Sequence, residues 1–125
     1  MKKVILFLLL SITLCAFNFE EAVIEAKKEH KLLLIELEME SCPYCEKMDK
    51  FVLSKNDVKK LIDEHYVFVK IDINKEVIPE HLTSRMTPTF YFLSSDGEHI
   101  IEEIKGAPSK SDFINYLNKV KQRGK

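Results

Sequence analysis

The stretch MESCPYCEKM, residues 39–48, holds two cysteines that are separated by two residues, Cys42 and Cys45. It follows a short apolar run, residues 32–37, whose length suits a strand that is covered on both faces. Pro43 comes directly after Cys42, and proline is favoured at the first position of a helix because its missing N–H would be unpaired there. The stretch therefore predicts a strand-to-helix turn with Cys42 at the start of the helix.

The predicted place of Cys42 indicates thiol–disulfide exchange. A thiol attacks a disulfide as the thiolate, and the free N–H groups and the dipole at a helix start stabilise this anion. We expect Cys42 to be exposed and to attack a partner's disulfide, and Cys45 to be more covered and to resolve the mixed disulfide. The acids Glu38, Glu40 and Glu46 should disfavour the thiolate, which favours a reductant or a balanced exchanger over a strong oxidant.

Other uses of a Cys-x-x-Cys pair fit this chain less well. Zinc needs about four ligands, but there is no second such pair and the four histidines are scattered. A bridge across two residues closes so short a loop that it constrains the unfolded chain little. We therefore predict no metal and no cofactor. An iron–sulfur cluster or metal shared by two copies, and a non-enzymatic binding module with residual thiols, stay open as alternatives.

The remaining sequence predicts an α/β fold. We expect a helix over 18–30, a strand over 32–37, helices over 43–53 and from a capping box at 54–57, a strand over 66–73, a short helix over 80–85, strands over 89–93 and 99–104, and a final helix capped at 109. The helical crossover favours parallel pairing of the first two strands. Asp96-Gly97 predicts an antiparallel hairpin, so the sheet should be mixed and four-stranded, in three layers, α/β/α.

The N-terminus has the features of an export signal. Two lysines precede a nearly unbroken apolar run over residues 4–14, and the small residues Cys15 and Ala16 follow it. The run is shorter than the about 20 residues of a membrane-spanning helix. We predict a signal peptide over 1–16, a domain over 17–125 and a periplasmic location. An uncleaved membrane anchor and lipidation at Cys15 are the alternatives.

Cysteine usage and charge agree with a single exported domain. Without residues 1–16 the chain keeps one cysteine pair, whereas exported proteins braced by disulfides commonly have four or more cysteines. The 19 basic and 20 acidic side chains are interleaved, without the basic stripe of a nucleic-acid-binding protein. We expect a monomer that does not bind nucleic acid.

With these motifs in place, the chain resembles the thioredoxin superfamily. The resemblance rests on the element order, on Cys42-Pro43-Tyr44-Cys45 between strand and helix, on Met86-Thr87-Pro88-Thr89 before the hairpin, and on Gly106 after the last strand. It is most similar to small exported bacterial thioredoxin-like proteins of the SoxW kind, and Cys-Pro-Tyr-Cys is similar to the glutaredoxin motif. The resemblance implies a thioredoxin fold and a protein-disulfide oxidoreductase.

The same resemblance implies roles for further residues. The Thr87–Pro88 bond would be cis, its loop would lie against the cysteines, and the Thr87 backbone would pair with a substrate strand. Pro43 and Tyr44 would tune the redox pair and meet the substrate. Glu36 matches a buried acid that relays protons to the inner cysteine of thioredoxins. The residues themselves leave open whether Glu36 is buried or points to solvent at the sheet end.

The resemblance also implies partners. Substrates would be disulfide-containing exported proteins, such as apocytochrome c, proteins with mispaired disulfides or a sulfur-metabolism partner. Electrons would come from a membrane electron-donor protein. A glutathione-linked, glutaredoxin-like enzyme is the alternative, but beyond Tyr44 the sequence has no signature for glutathione.

Overall fold

The computed structural model describes residues 18–124. The predicted signal peptide, with its alternatives of a membrane anchor and of lipidation at Cys15, lies outside the described residues. From residue 18 to residue 124, no helix is long and apolar enough to cross a membrane.

The described chain folds into one mixed sheet with helices on both faces. Its elements are α1 (Phe19–Glu29), β1 (Leu32–Glu38), α2 (Pro43–Met48), a π-helical segment (Asp49–Leu53), α3 (Asn56–His65), β2 (Tyr66–Asp72), β3 (Thr89–Leu93), β4 (Ile100–Lys105) and α4 (Lys110–Arg123). The strand order is β2-β1-β3-β4. Strand β1 pairs with β2 in parallel and with β3 antiparallel, and β3 pairs with β4 antiparallel. The predicted α/β architecture is confirmed.

Two predicted helix caps are present, and the third is wrong. The Asn18 side chain accepts a hydrogen bond from the Glu21 N–H at 3.0 Å, and the Ser109 hydroxyl accepts one from the Asp112 N–H at 3.2 Å. Helix α3, in contrast, begins without a side-chain cap. Ser54, the predicted cap, donates instead to the carbonyl of Lys50 at 2.7 Å, because it ends the preceding π-helical segment.

The predicted short helix over 80–85 is also wrong. The segment between β2 and β3, residues 73–88, consists of turns and extended backbone. The N–H of Ser84 is bonded by the Tyr91 hydroxyl at 2.9 Å, and the Ser84 hydroxyl lies 2.9 Å from that of Thr89. The Ser84 N–H thus donates to a side chain of β3, whereas in a helix it would donate to a backbone carbonyl of the same helix.

The predicted hairpin at Asp96-Gly97 is confirmed. Gly97 has a φ of 76°, and its N–H donates to the Ser94 carbonyl at 2.8 Å. A Cβ atom at this position would lie 2.8 Å from the Phe19 ring and 2.9 Å from Val23. Glycine is needed here both for the backbone conformation and for the close approach of α1.

The sheet separates two apolar cores. The α1 face buries side chains of α1 together with alternate residues of β1, β2 and β3: Ala22, Ala26, Leu33, Ile35, Leu37, Val67, Val69, Ile71, Tyr91 and Leu93. The opposite face, here called the α2 face, packs against α2, the π-helical segment, α3 and α4: Leu34, Met48, Val52, Val58, Ile62, Phe90, Phe92, Phe113 and Leu117. Strand alternation places Glu36, two residues after Leu34, on the α2 face.

Candidate active site

The two cysteines lie where β1 passes into α2. Ser41 has a left-handed φ of 57°, which turns the chain so that α2 begins at Pro43. Cys42 is the N-cap residue, and its Sγ accepts a hydrogen bond from the Cys45 N–H at 3.2 Å. The two Cα atoms are 5.2 Å apart and the residues are joined as a disulfide. The predicted place of Cys42 at a helix start is confirmed.

The predicted difference in exposure between the cysteines is wrong for this disulfide form. Cys42 and Cys45 each expose only 4% of their surface. The bond to Cys45 covers one side of the Cys42 sulfur, and the Thr87 hydroxyl lies 3.4 Å from it on another. What distinguishes Cys42 is therefore its contacts, since its sulfur accepts hydrogen bonds from the Cys45 N–H and from the Thr87 hydroxyl.

The segment before β3 comes against the disulfide. The Thr87–Pro88 peptide bond is cis, as the resemblance implies. No other peptide bond within residues 18–124 is cis. The Pro88 carbonyl accepts a hydrogen bond from the Gly106 N–H at 2.8 Å, and the Thr89 hydroxyl donates to the Met86 carbonyl at 2.7 Å. These bonds tie the segment to the sheet, so the Thr87 side chain meets the Cys42 sulfur.

An apolar and acidic surface surrounds the disulfide. Tyr44, Met86 and Met39 are large apolar side chains that stay exposed, Tyr44 by 63%. A cleft of about 230 Å³ opens at the two cysteines and is lined by Glu38, Met39, Glu40, Ser41, Cys42, Cys45, Glu46, Asp49 and Asp72. Pro43 and Tyr44, the two residues between the cysteines, are both exposed.

Glu36 is fully buried, which decides the question that strand alternation left open. It pairs in register with Lys70 of β2 and Phe90 of β3. Neither of its carboxyl oxygens has a hydrogen-bond partner. Burial raises the pKa of Glu36 from 4.5 to about 8, because the charged form loses its hydration, and the nearby Lys70 ammonium only partly opposes this.

Two charged residues beside Glu36 were not predicted as part of the site. The Lys70 Nζ lies 2.6 Å from Asp49 Oδ1, 3.7 Å from Glu38 Oε2 and 3.8 Å from Glu36 Oε2. Asp49 begins the π-helical segment one turn after Cys45, and its N–H donates to the Cys45 carbonyl. The available signal was Lys70 itself, a cation within the apolar strand β2, just as Glu36 is an acid within β1.

Metal-ligating side chains do not gather in the described part of the chain. Over residues 18–124 no group of three or more His, Cys, Asp or Glu side chains is arranged to hold a metal ion. The four histidines are far apart along the chain: His30 follows α1, His65 is the last residue of α3, His81 lies between β2 and β3 and contacts the Gly97 carbonyl at 2.6 Å, and His99 precedes β4.

The fold and the site together define a thioredoxin-fold protein with a Cys-x-x-Cys disulfide at the start of a helix. A family model described as a thioredoxin-like domain matches residues 19–121. The chain therefore belongs to the thioredoxin-like domain family. A search of curated protein sequences found no match.

Solved structures agree with this assignment. The chain is 26% identical to a thioredoxin from Thermus thermophilus, with a TM-score of 0.75 and 86% of each chain covered. It is 19% identical to the DsbD C-terminal domain from Neisseria meningitidis in its oxidised form, with a TM-score of 0.63, 80% of this chain and 90% of that one covered. For the periplasmic thioredoxin SoxS from Paracoccus pantotrophus the identity is 18% and the TM-score 0.58, covering 76% of this chain and 100% of that one. The last two likenesses concern the fold alone.

Proposed function

We propose that this protein is an exported thiol–disulfide oxidoreductase that reduces or exchanges disulfides in periplasmic proteins. The observation that carries the proposal is the contact set of Cys42. Its sulfur lies at the N-cap of α2, bonded to Cys45 and touched by the Thr87 hydroxyl of the cis-proline segment. Free N–H groups and the helix dipole stabilise a thiolate at this position.

The reaction follows from the two sulfurs. In the reduced protein the Cys42 thiolate attacks one sulfur of the partner's disulfide, and the other sulfur leaves with the electron pair and takes up a proton. Cys45 then loses its proton and attacks Cys42 Sγ, which releases the partner's second sulfur as a thiolate. Two electrons pass to the partner, and the Cys42–Cys45 disulfide that is left corresponds to the form described above.

Glu36 is the proposed proton relay for Cys45. It lies on the α2 face of the sheet, and Lys70, 3.8 Å from its carboxyl group, bonds Asp49 one turn beyond Cys45. Its pKa of about 8 leaves both protonation states accessible near neutral pH, as an acid that both gives and takes a proton requires.

The shape of the site favours a polypeptide substrate over glutathione. The cleft beside the disulfide measures about 230 Å³, below the roughly 300–1,000 Å³ that is usual for small-molecule sites. Exposed apolar side chains lie near the cysteine motif in the chain, Tyr44 between the two cysteines and Met86 next to Thr87. In our proposal they contact the partner chain while the Thr87 backbone pairs with its extended segment.

The proposed location and partners rest on the sequence. Residues 1–16 have the composition of a signal peptide, so we propose export to the periplasm. The substrates are then disulfide-containing exported proteins. A membrane electron-donor protein of the disulfide-reducing pathway would return the disulfide to the dithiol form, and we propose that the protein acts as a monomer.

The test replaces one cysteine at a time in the 125-residue chain. With dithiothreitol as the electron donor, we expect the wild type to reduce insulin and hydroxyethyl disulfide. Cys42→Ser should lose the activity completely, and Cys45→Ser should accumulate a mixed disulfide that is detected by mass. Cys15→Ser is the matched control and should retain activity, because that cysteine lies outside the proposed redox pair.

Two outcomes would contradict the proposal. Full activity in Cys42→Ser would rule out the attacking role of this residue. A Cys42→Ser protein that loses only disulfide exchange but still captures the partner without a covalent bond would indicate a binding module instead. The direction of electron flow is read from the reduction potential of the pair: a value near about −270 mV supports a reductase, and one near about −120 mV an oxidase.

A further inference from the structure

We propose that Asp49 is a positioning residue that holds the Lys70 ammonium group and thereby leaves the Glu36 carboxyl group without a hydrogen-bonded cation. The catalytic meaning of this arrangement rests on the proposed function. The arrangement itself rests on contacts among β1, β2 and the π-helical segment.

Strand register makes Lys70 the natural partner of Glu36. The two residues are directly opposite each other on β2 and β1, and both side chains lie on the α2 face. The Lys70 ammonium nevertheless stands 3.8 Å from Glu36 Oε2, beyond hydrogen-bond distance. Its hydrogen bond goes to Asp49 Oδ1 at 2.6 Å.

One cation thus serves three carboxyl groups. Glu38, two residues along β1 from Glu36, has its Oε2 3.7 Å from the Lys70 Nζ. Asp49 and Glu38 are both partly open to solvent, whereas Glu36 is fully buried and both of its oxygens lack a hydrogen bond. An unpartnered buried carboxylate is far more costly than a hydrated one, so Glu36 is the group that takes up a proton.

The charges that act on Glu36 come from three elements. Lys70 on β2 lowers its pKa, and Asp49 on the π-helical segment and Glu38 on β1 raise it, while burial is the largest influence. Its neighbour on β3 is the apolar Phe90. Removing the Asp49 charge should lower the pKa of Glu36 in two ways. It removes a repulsive anion, and it frees Lys70 to bond Glu36.

The π-helical segment explains why Asp49 can do this. Asp49 is the first residue after α2, and its N–H donates to the carbonyls of Cys45 and Glu46. The carboxyl group that holds Lys70 is therefore built on the same turn as the resolving cysteine. Wide turns of this kind occur frequently at functional sites.

This arrangement has a consequence for reduction of the protein's own disulfide. A donor thiolate attacks Cys42 Sγ, the S–S bond breaks, and Cys45 leaves with the electron pair and takes its proton from Glu36. A second donor thiolate releases Cys42, and the donor becomes a disulfide. If Lys70 bonded Glu36 instead, the carboxyl group would be ionised at neutral pH and would have no proton to give.

The experiment follows the Glu36 carboxyl group by NMR in the oxidised 125-residue chain, labelled with carbon-13 at glutamate. The signal is assigned by its loss in Glu36→Gln, and the titration runs between about pH 4 and pH 10. Asp49→Asn should lower the Glu36 midpoint by at least about one pH unit. Asp57→Asn is the matched control: Asp57 also bonds a lysine, Lys110 at 2.8 Å, and its loss should leave the midpoint unchanged.

Two further variants separate positioning from simple repulsion. In a Lys70→Gln background most of the Asp49→Asn shift should disappear, because no ammonium remains to be moved. Asp49→Glu keeps the charge and should restore a midpoint close to that of the wild type. The inference is overturned if Asp49→Asn leaves the midpoint in place or raises it, or if its full shift persists without Lys70.

A kinetic measurement links the arrangement to the reaction. The rate at which dithiothreitol reduces the disulfide is recorded against pH. In Asp49→Asn the midpoint of this rate profile should move to lower pH, as the midpoint of the Glu36 titration does. An unmoved rate profile beside a moved NMR midpoint would refute the catalytic meaning. Since the NMR titration needs no turnover, a protein that exchanges no disulfides would refute the proposed function while leaving the Asp49 inference to be judged separately.

Discussion

Strand β1 sends alternate side chains to the two faces of the sheet, and the two faces bury different chemistry. Toward α1 it presents Leu33, Ile35 and Leu37, all fully buried and apolar. Toward α2 it presents Leu34 and then Glu36, equally buried but carrying a carboxyl group without a hydrogen bond. The first face contributes stability alone. On the second face, the buried Glu36 carboxyl group lowers stability at the end of β1 that leads to the cysteines. Such a loss of stability is common at reactive sites.

The largest expected difference between the two faces is the pH dependence that Glu36 gives to the free energy of unfolding. Its pKa is 4.5 when unperturbed and about 8 in the folded protein, so the folded state holds the proton more tightly. The resulting stability is fully present below pH 4.5 and is lost as the pH rises to about 8. We expect the free energy of unfolding to fall by about 5 kcal/mol over this interval relative to Glu36→Gln.

The measurement is urea unfolding of both oxidised proteins at a series of pH values. The comparison uses the difference between them because other groups titrate equally in both. Asp57 and Asp96, whose pKa values are lowered by hydrogen bonds from Lys110 and Ser94, impose the opposite slope on each curve. Parallel curves for the two proteins would show that Glu36 has no raised pKa.

The next effect concerns the apolar face. Ile35 is fully buried between Val69 and Tyr91, so Ile35→Ala should lower the free energy of unfolding by about 3 kcal/mol through lost burial and a residual cavity. Ile24→Ala is the matched control, because Ile24 on α1 is 68% exposed and its loss should change stability by less than about 0.5 kcal/mol. Equal effects at both positions, measured by urea unfolding, would contradict the assignment of this core.

The smallest effect has the opposite sign. Glu36→Met removes the unpartnered carboxyl group and fills its volume, so it should raise the free energy of unfolding by about 2 kcal/mol at pH 8, while slowing disulfide exchange. Leu34→Met, two residues earlier on the same face, conserves volume and should lower stability by less than about 1.5 kcal/mol. A less stable Glu36→Met protein would mean that Lys70 already stabilises the carboxylate.

Much of the fold could be predicted from short-range patterns. Alternation and apolar runs gave the four strands, Asp96-Gly97 gave the hairpin, and Asn18 and Ser109 gave two helix starts. The two wrong predictions about the helices share one cause. The 54–57 cap and the 80–85 helix have suitable residues, but the preceding π-helical segment ends at Ser54, and the Tyr91 hydroxyl binds Ser84. Propensity at a few residues is a weak influence beside such contacts.

The site was predictable in its sulfur chemistry and not in its electrostatics. The spacing of Cys42 and Cys45 and the position of Pro43 are local, and they indicated a redox pair at a helix start before any contact was known. The place of Thr87 against Cys42, 45 residues away, was expected only through the resemblance to a family.

The amino-acid sequence by itself determined the order of the four strands, the Asp96-Gly97 hairpin and the cysteine turn, because each depends on residues that are close along the chain. Only the tertiary structure decided that Glu36 is buried and that Lys70 bonds Asp49 in preference to it. Successive side chains of a strand point to opposite faces of the sheet, but which face is covered depends on helices elsewhere in the chain. The pKa of Glu36 is therefore a property of the packed molecule, since its cause is the loss of water around a carboxyl group.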